Sequence, residues 1–332
     1  MNMKFIAEAG VNHNGKISTA KKLIKVAAKA GADFIKFQAF KTESLIIEGT
    51  KKASYQKKNT VGNEDQYQML KKLEFNEAEF KILNNECKKN KIKFLLSIFD
   101  EESLNIVKKL KLKVIKIPSG EINNYFLLST LAKLRLKIIL STGMSSIKEI
   151  EEAIKILTSE SIKKKDITIL QCTTEYPTKF KDVNLKVINT LKKKFRINVG
   201  LSDHTLGKLS SIIAIVMGAS VIEKHFTLNT KDRGPDHKAS LSPKELKELI
   251  YEIKNIPVLI GSSKKKPTKN EIANKLLVRK SIVAKKNIKK GEKFSLSNLT
   301  AKRPGIGISP MRFKFFQNKK SKKNYKKDEY IK

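Results

Sequence analysis

Residues 199–226 read VGLSDHTLGKLSSIIAIVMGASVIEKHF, and the fold turns on how that stretch is parsed. Val199–Asp203 and Val221–Phe226 are short, apolar and β-branched runs with the character of strands. Between them, Leu209–Met217 repeats its apolar residues at helical spacing. Strand, helix and strand in so short a span form the repeating unit of an α/β fold. His204 follows the first strand and His225 stands near the end of the second.

The same alternation extends upstream. Strand-like runs recur at Phe5–Gly10, Phe34–Gln38, Phe94–Phe99, Val114–Ser119, Ile138–Gly143 and Ile167–Cys172. Helical periodicity fills Thr19–Ala30, Glu77–Lys88, Ile147–Thr158 and Leu185–Phe195, and Pro243–Ile253 follows the last strand. Eight strands, most trailed by a helical segment, predict a (β/α)8 TIM barrel of the α/β class. Several runs are continuously apolar, as strands buried on both faces require. A doubly wound open sheet is the rival, but no G-x-G-x-x-G opens the first helix.

The stretch from Ala39 to about Asp65 is polar and longer than a structural βα connection needs, so it is expected to form a lid. A disordered insertion is the alternative. The barrel is expected over 1–262, a polar, Pro-containing linker over 263–277, and a small turn-rich domain over 278–332. The Lys-dense tail from Lys319 is expected to be only partly ordered.

The formal net charge of +38 points first to nucleic acid or an anionic membrane. Of 70 basic residues, however, only six are arginine, the residue that reads bases bidentately. The lysines run along the whole chain beside abundant Ile and Asn, the mark of an AT-rich coding bias on tolerant surfaces. Neither nucleic acid nor membrane is therefore expected as a partner, although a positive field favours an anionic substrate. No run approaches a membrane span, and the N-terminus lacks a signal-peptide pattern. Cys87 and Cys172 show no ligand-like spacing. A reduced, cytoplasmic protein is expected.

In a TIM barrel, residues at strand C-terminal ends converge on the catalytic face. All four histidines, His13, His204, His225 and His237, fall at or just after such ends. His204 and His225 end adjacent strands about 4.8 Å apart. They could share one divalent ion with open positions, Mn²⁺ or Co²⁺ by ligand type, with Mg²⁺ also open. The bland reading is two histidines bonding loop backbones. Lys36 and Lys116 sit at strand ends with Ser97, Ser119, Ser141, Thr173, Thr174 and Ser202. Lys116 interrupts an apolar run, where an unpaired ammonium is costly. These lysines could cradle a phosphate-plus-carboxylate molecule, pair with barrel-mouth carboxylates, or supply a Schiff-base amine. Glu8, Glu121, Glu175 and Asp236 are the acidic candidates, Glu8 and Glu121 foremost.

Nine segments in series carry a family resemblance: Glu8-Ala-Gly-Val-Asn-His-Asn-Gly, Lys36-Phe-Gln, Lys116-Ile-Pro-Ser-Gly-Glu, Ser141-Thr-Gly-Met, Cys172-Thr-Thr-Glu-Tyr-Pro-Thr, Leu201-Ser-Asp-His-Thr, Glu223-Lys-His-Phe-Thr, Gly234-Pro-Asp-His and Lys302-Arg-Pro-Gly-Ile-Gly. Together they resemble the N-acetylneuraminate (sialic acid) synthase family, with Val278–Pro310 similar to its antifreeze-like (SAF) domain. The resemblance implies a metal-dependent transferase that condenses phosphoenolpyruvate with N-acetylmannosamine. The alternative it leaves is 2,4-diacetamido-2,4,6-trideoxymannose, giving legionaminic acid. It further implies that His204 and His225 hold the metal. Phosphoenolpyruvate would then meet Lys36, Ser97, Lys116, Ser119, Ser141, Thr174 and Ser202. Gln38, Glu121, Tyr176, Asp236 and Arg303 would contact the sugar, with Arg303 supplied across a domain-swapped homodimer. Glu121, Glu8 and Lys116 are the implied catalytic groups. Three departures stand out. Thr174 occupies an amide position, Ile98 replaces a proline and is expected to loosen a turn, and Phe316-Gln-Asn is expected to degrade the last turn of the small domain.

Overall fold

The computed structural model describes residues 3–60 and 63–332. Eight parallel strands close into a barrel: β1 (Lys4–Gly10), β2 (Phe34–Ala39), β3 (Lys93–Ile98), β4 (Val114–Ile117), β5 (Lys137–Ser141), β6 (Ile167–Cys172), β7 (Asn198–Asp203) and β8 (Val221–His225). β1 pairs with both β2 and β8, so no edge is left open. The TIM barrel read from the sequence is the fold observed.

Successive residues of a strand point to opposite faces, and this alternation builds the site. Outward residues such as Ala7, Phe37, Leu96, Ile117, Leu140 and Ile222 are buried in one large cluster with the surrounding helices. Inward residues Ile6, Leu95, Ile139, Leu170 and Val221, with Phe34 and Val114 against them, fill a lower layer inside the barrel. Two positions further along each of those strands stands a polar or sulfur-bearing side chain: Glu8, Lys36, Ser97, Lys116, Ser141, Cys172 and Glu223. On β7, Gly200 takes the lower position and Ser202 the upper one. A Cβ at Gly200 would lie 2.2 Å from the Val221 carbonyl oxygen, so only glycine fits there. The apolar plug thus becomes a polar layer at one shared level.

The segment after β2 is not a structureless loop. It carries short helices Thr42–Leu45, Ser54–Asn59 and Gln66–Lys71. Asp65 caps the last of these by accepting from the Gln68 backbone N–H. Val11, Phe40, Met69 and Leu73 are buried together, with Leu45, Leu70 and Phe99 packed against them. The apolar residues scattered through this polar stretch therefore act as its anchor. Ile98 does not loosen a turn either: it pairs with Ala39 as the last residue of β3 and is fully buried.

Two compact units make up the chain, Met1–Ile260 and Gly261–Lys332. The helix after β8 runs through Pro257 to Ile260. In the second unit, much of the expected linker is helical, Lys269–Val278. Thr268 and Glu271 form a reciprocal capping box at its start, which the lysine-rich composition obscured. β9 (Ser281–Ala284) and β10 (Leu299–Lys302) pair antiparallel. The tail is integral to this unit: Tyr325 bridges to Ile288 and Tyr330 to Val283. Tyr325 and Ile331 are buried in its core, and Phe316 packs against that core. Tyr325 and Ile331 among the lysines supply the buried contacts that hold the tail.

Candidate functional site

A cleft of about 380 Å³ opens at the C-terminal ends of the barrel strands, within the size range of small-molecule sites. Its floor is the polar layer. Lys36 donates to Ser97 Oγ at 2.6 Å and pairs with Glu8 Oε1 at 2.8 Å. Lys116 pairs with Glu223 Oε1 at 2.7 Å, and Lys36 lies 3.7 Å from the same oxygen. Ser202 donates to that oxygen at 3.0 Å. The carboxylate demanded by an ammonium at Lys116 is thus Glu223, which stands within a quoted motif but was assigned no role. The i, i+2 step from inward Val221 marks it in the sequence.

Burial raises the Glu8 pKa despite the Lys36 charge beside it. Burial acts against Glu223 as well, but Lys116 and Lys36 outweigh it and bring its pKa to about 2. Glu223 is consequently the main counter-charge for two ammonium groups, and Glu8, paired with Lys36 alone, is the second carboxylate of the floor. Several floor atoms also lack partners. Glu8 Oε2, Ser141 Oγ, Glu223 Oε2 and His225 Nδ1 are buried with no hydrogen-bond partner among the described residues, and all four residues line this cleft. Such atoms are expensive to bury unless a ligand, ion or water completes them.

His204 and His225 come together as expected, with ring centroids 5.6 Å apart. His204 Nδ1 donates to the Thr173 carbonyl oxygen at 2.7 Å. That bond fixes its tautomer and leaves Nε2 with a lone pair, the usual arrangement of a metal-ligating imidazole. His225 lies 4.0 Å from Asp236 Oδ2 through Nδ1. Burial lowers its pKa well below the ordinary histidine range, so it offers a neutral nitrogen, whereas at His204 the opposing effect of burial is outweighed by Cys172 and the Thr173 carbonyl, which raise its pKa. The donor set therefore fits an open-sided ion. Among the described residues no group of three or more His, Cys, Asp or Glu converges on one point, which argues against a sealed site.

The other two histidines are loop fasteners. His13 stacks on Phe75 at 4.0 Å and accepts from the Gly15 N–H. His237 is held between Thr227 Oγ1 and Asn14 Oδ1. Their strand-end positions brought loops, not chemistry, to the catalytic face.

Gln38, Glu121, Ser119, Ser141, Thr174, Tyr176 and Asp236 also line the cleft. Ser119 Oγ accepts from the Gly143 N–H, and a Cβ at Gly143 would lie 2.2 Å from Thr174 Oγ1. Glycine there lets three strand-end loops meet. Glu121 is bonded to Asn124 at 2.7 Å, and burial raises its pKa. Burial carries Asp236 to about 7, with the Glu8 charge adding to it. The Tyr176 ring sits 4.1 Å from His204 and 5.7 Å from His225, with Tyr55 of the lid 5.0 Å behind it. Tyr55 carried no sequence signal, being one polar-aromatic residue in a lysine-rich stretch. Glu175 is exposed and is not part of the lining, and Arg303 is an exposed residue directly after β10 in the second unit.

Comparison with known proteins follows from this geometry. The NeuB family profile matches residues 23–265 and the SAF domain profile residues 279–332. The N,N'-diacetyllegionaminic acid synthase of Campylobacter jejuni is 53% identical over 326 residues, 98% of each chain. The synthase of the same name from Legionella pneumophila is 43% identical, covering 92% of this chain and 86% of that one. The crystal structure of the N-acetylneuraminic acid synthetase of Leptospira borgpetersenii superposes with a TM-score of 0.72 at 34% identity. The match covers 82% of this chain and 90% of that one.

Proposed function

Because this chain belongs to the NeuB family, we propose that it condenses phosphoenolpyruvate with 2,4-diacetamido-2,4,6-trideoxymannose to give a legionaminic acid and phosphate. It is an enzyme, a transferase of the sialic-acid synthase kind. The sequence ranks N-acetylmannosamine as the first sugar. The observation that reverses the order is the 53% identity, end to end, with a synthase of the diacetyl product.

In this reading Lys36 and Lys116 bind the phosphate and carboxylate of phosphoenolpyruvate, while Ser97, Ser119, Ser141, Thr174 and Ser202 accept or donate around them. Glu223 keeps both lysines charged in a dry site, where bare ammonium groups would shed their protons. Gln38, Tyr176 and Asp236 orient the open-chain sugar. His204 and His225 would hold a divalent ion, Mn²⁺ by donor type, which supplies Lewis acidity at the aldehyde oxygen. Carbon 3 of phosphoenolpyruvate bonds to the aldehyde carbon, whose oxygen gains a proton. Water adds to carbon 2, and the tetrahedral centre then releases inorganic phosphate and leaves a 2-keto acid. Glu8 and Glu121, both with raised pKa values, carry protons to and from the sugar oxygen and the water. Most of the rate comes from holding both reactants over the charged floor.

A domain-swapped homodimer, with Arg303 completing a neighbouring subunit's site, belongs to the same proposal. Mixing inactive Arg303→Ala and His225→Ala chains tests it. Exchange restores activity if the arginine acts in trans, and no recovery rules the swap out. The substrate assignment is tested by competition: both sugars are supplied together with phosphoenolpyruvate and Mn²⁺, and the nine-carbon products are separated by mass. The diacetamido product is expected to predominate. Predominant N-acetylneuraminate would return the assignment to N-acetylmannosamine.

A further inference from the structure

The cleft has two kinds of wall. Among the described residues, its lysines and histidines, Lys36, Lys116, His204 and His225, all come from the barrel strands or the loop just after them. Every lid residue that lines it is uncharged, and four are aliphatic or thioether side chains: Leu45, Ile46, Met69 and Leu70. Val11 and Phe99 line the cleft as well, and five of these six belong to the apolar cluster that anchors the lid. The anchor is therefore exposed to the ligand on its inner side. A phosphoryl or hydroxyl group pressed against such a surface gives up water without gaining a partner. A methyl group gains by the same contact.

We infer that this lid-side wall is an apolar subsite that receives the methyl-bearing end of the sugar. It selects a 6-deoxy, N-acylated sugar over its 6-hydroxy and 6-phosphorylated counterparts. The inference rests on the reading of the cleft as the site of phosphoenolpyruvate–sugar condensation and adds to it the residues that choose the sugar. Leu70 and Leu45 are the specificity-determining positions. Both are half-buried rather than sealed in the core, so their side chains are shared between lid and ligand.

The test uses the full chain with Mn²⁺ and saturating phosphoenolpyruvate. kcat/KM is measured for 2,4-diacetamido-2,4,6-trideoxymannose and for three sugars that differ only at carbon 6, 2-acetamido-2,6-dideoxymannose, N-acetylmannosamine and N-acetylmannosamine 6-phosphate, in wild type, Leu70→Gln, Leu45→Gln and Leu70→Met. Rejection of an added hydroxyl by an apolar pocket is worth up to about 100-fold in selectivity, with about 10-fold as the lower end. The ratio of deoxy to hydroxy sugar is expected to fall by about that factor's lower end in each Gln variant. Leu70→Met, apolar and of similar volume, is expected to keep the ratio, and the KM for phosphoenolpyruvate to stay near the wild-type value. Parallel loss on both sugars with an unchanged ratio would overturn the subsite while leaving the condensation intact. Equal use of the 6-phosphate by wild type would overturn it as well. Absence of turnover with every sugar in wild type would instead remove the condensation itself, and the subsite with it.

Discussion

The floor and the lid-side wall of the cleft are built by opposite means. On the floor, eight strands at one register level each contribute one side chain, and every one is fixed by neighbours in a closed barrel. On the wall, three short helices of an irregular segment expose whatever their packing leaves over. The floor carries buried charge that tolerates no slack, whereas the wall carries apolar surface that tolerates exchange. Chemistry that must not vary is set by strand register, and substrate choice by an insert that can change without disturbing the barrel.

Substitutions should separate the two regions by the size and kind of their effects. The largest falls at the floor. His204→Ala removes one of the two proposed nitrogen ligands and should weaken Mn²⁺ binding by more than about 100-fold, since losing even a group that only hydrogen-bonds a ligand reaches that scale. Titration of Mn²⁺ by paramagnetic resonance reads it, and unchanged binding would leave His204 as a loop fastener like His237. Next comes Glu223→Gln, which takes from Lys116 its ion-pair partner and leaves Lys36 with Glu8 alone. Breaking a buried pair this way costs about 3–5 kcal/mol. Urea unfolding measures it, and a loss under 1 kcal/mol, by the scale of exposed pairs, would show that the floor is wetter than its burial implies.

At the root of the lid the expected effect is smaller. Glu74 accepts from Lys41 Nζ at 2.8 Å, the Thr42 N–H at 3.0 Å and Thr42 Oγ1 at 2.9 Å. Partial burial pushes its pKa up, yet these donors outweigh that and hold it at about 2. Because the folded-state value is depressed, its stabilisation is present above the ordinary glutamate range and lost as the pH falls toward 2. Glu74→Gln should therefore cost about 1.5 kcal/mol near neutrality. The difference from wild type should shrink through that acid window in urea titrations at several pH values. A pH-independent difference would mean that the carboxylate charge is not what ties down the lid. Smallest of all is the exposed pair Lys194–Glu151. Lys194→Ala should change stability by no more than about 0.5 kcal/mol.

The same division governs what could be read from the sequence. All eight strands are legible because their outward faces are mostly apolar, with Gln171, Asp203 and Lys224 as the interruptions, and strand-end positions point to Lys36, Lys116, His204 and His225. Glu223 is legible in principle, two residues beyond inward Val221, but it stands in a run of three polar residues with Lys224 and His225, and only the strand register tells which of them face inward. His13 and His237 show the limit of a positional argument, since a loop fastener and a ligand occupy the same kind of place until partners are known. The lid was foreseen as a lid but not as a packed element. Its few apolar residues, Leu45, Met69, Leu70 and Leu73, are spaced irregularly among lysines and asparagines, and they acquire a common face only once Val11, Phe40 and Phe99 are brought near by the barrel. The tail failed for a similar reason: Tyr325 and Ile331 find their partners on strands far back in the chain.

Release of inorganic phosphate from phosphoenolpyruvate is the most direct test of the whole account. It should occur in the full chain only when an N-acetylated sugar and Mn²⁺ are both present, fastest with the diacetamido sugar, and should vanish in folded His225→Ala. Phosphate release that persists in that variant, or that proceeds without any sugar, would contradict the site described at the barrel floor.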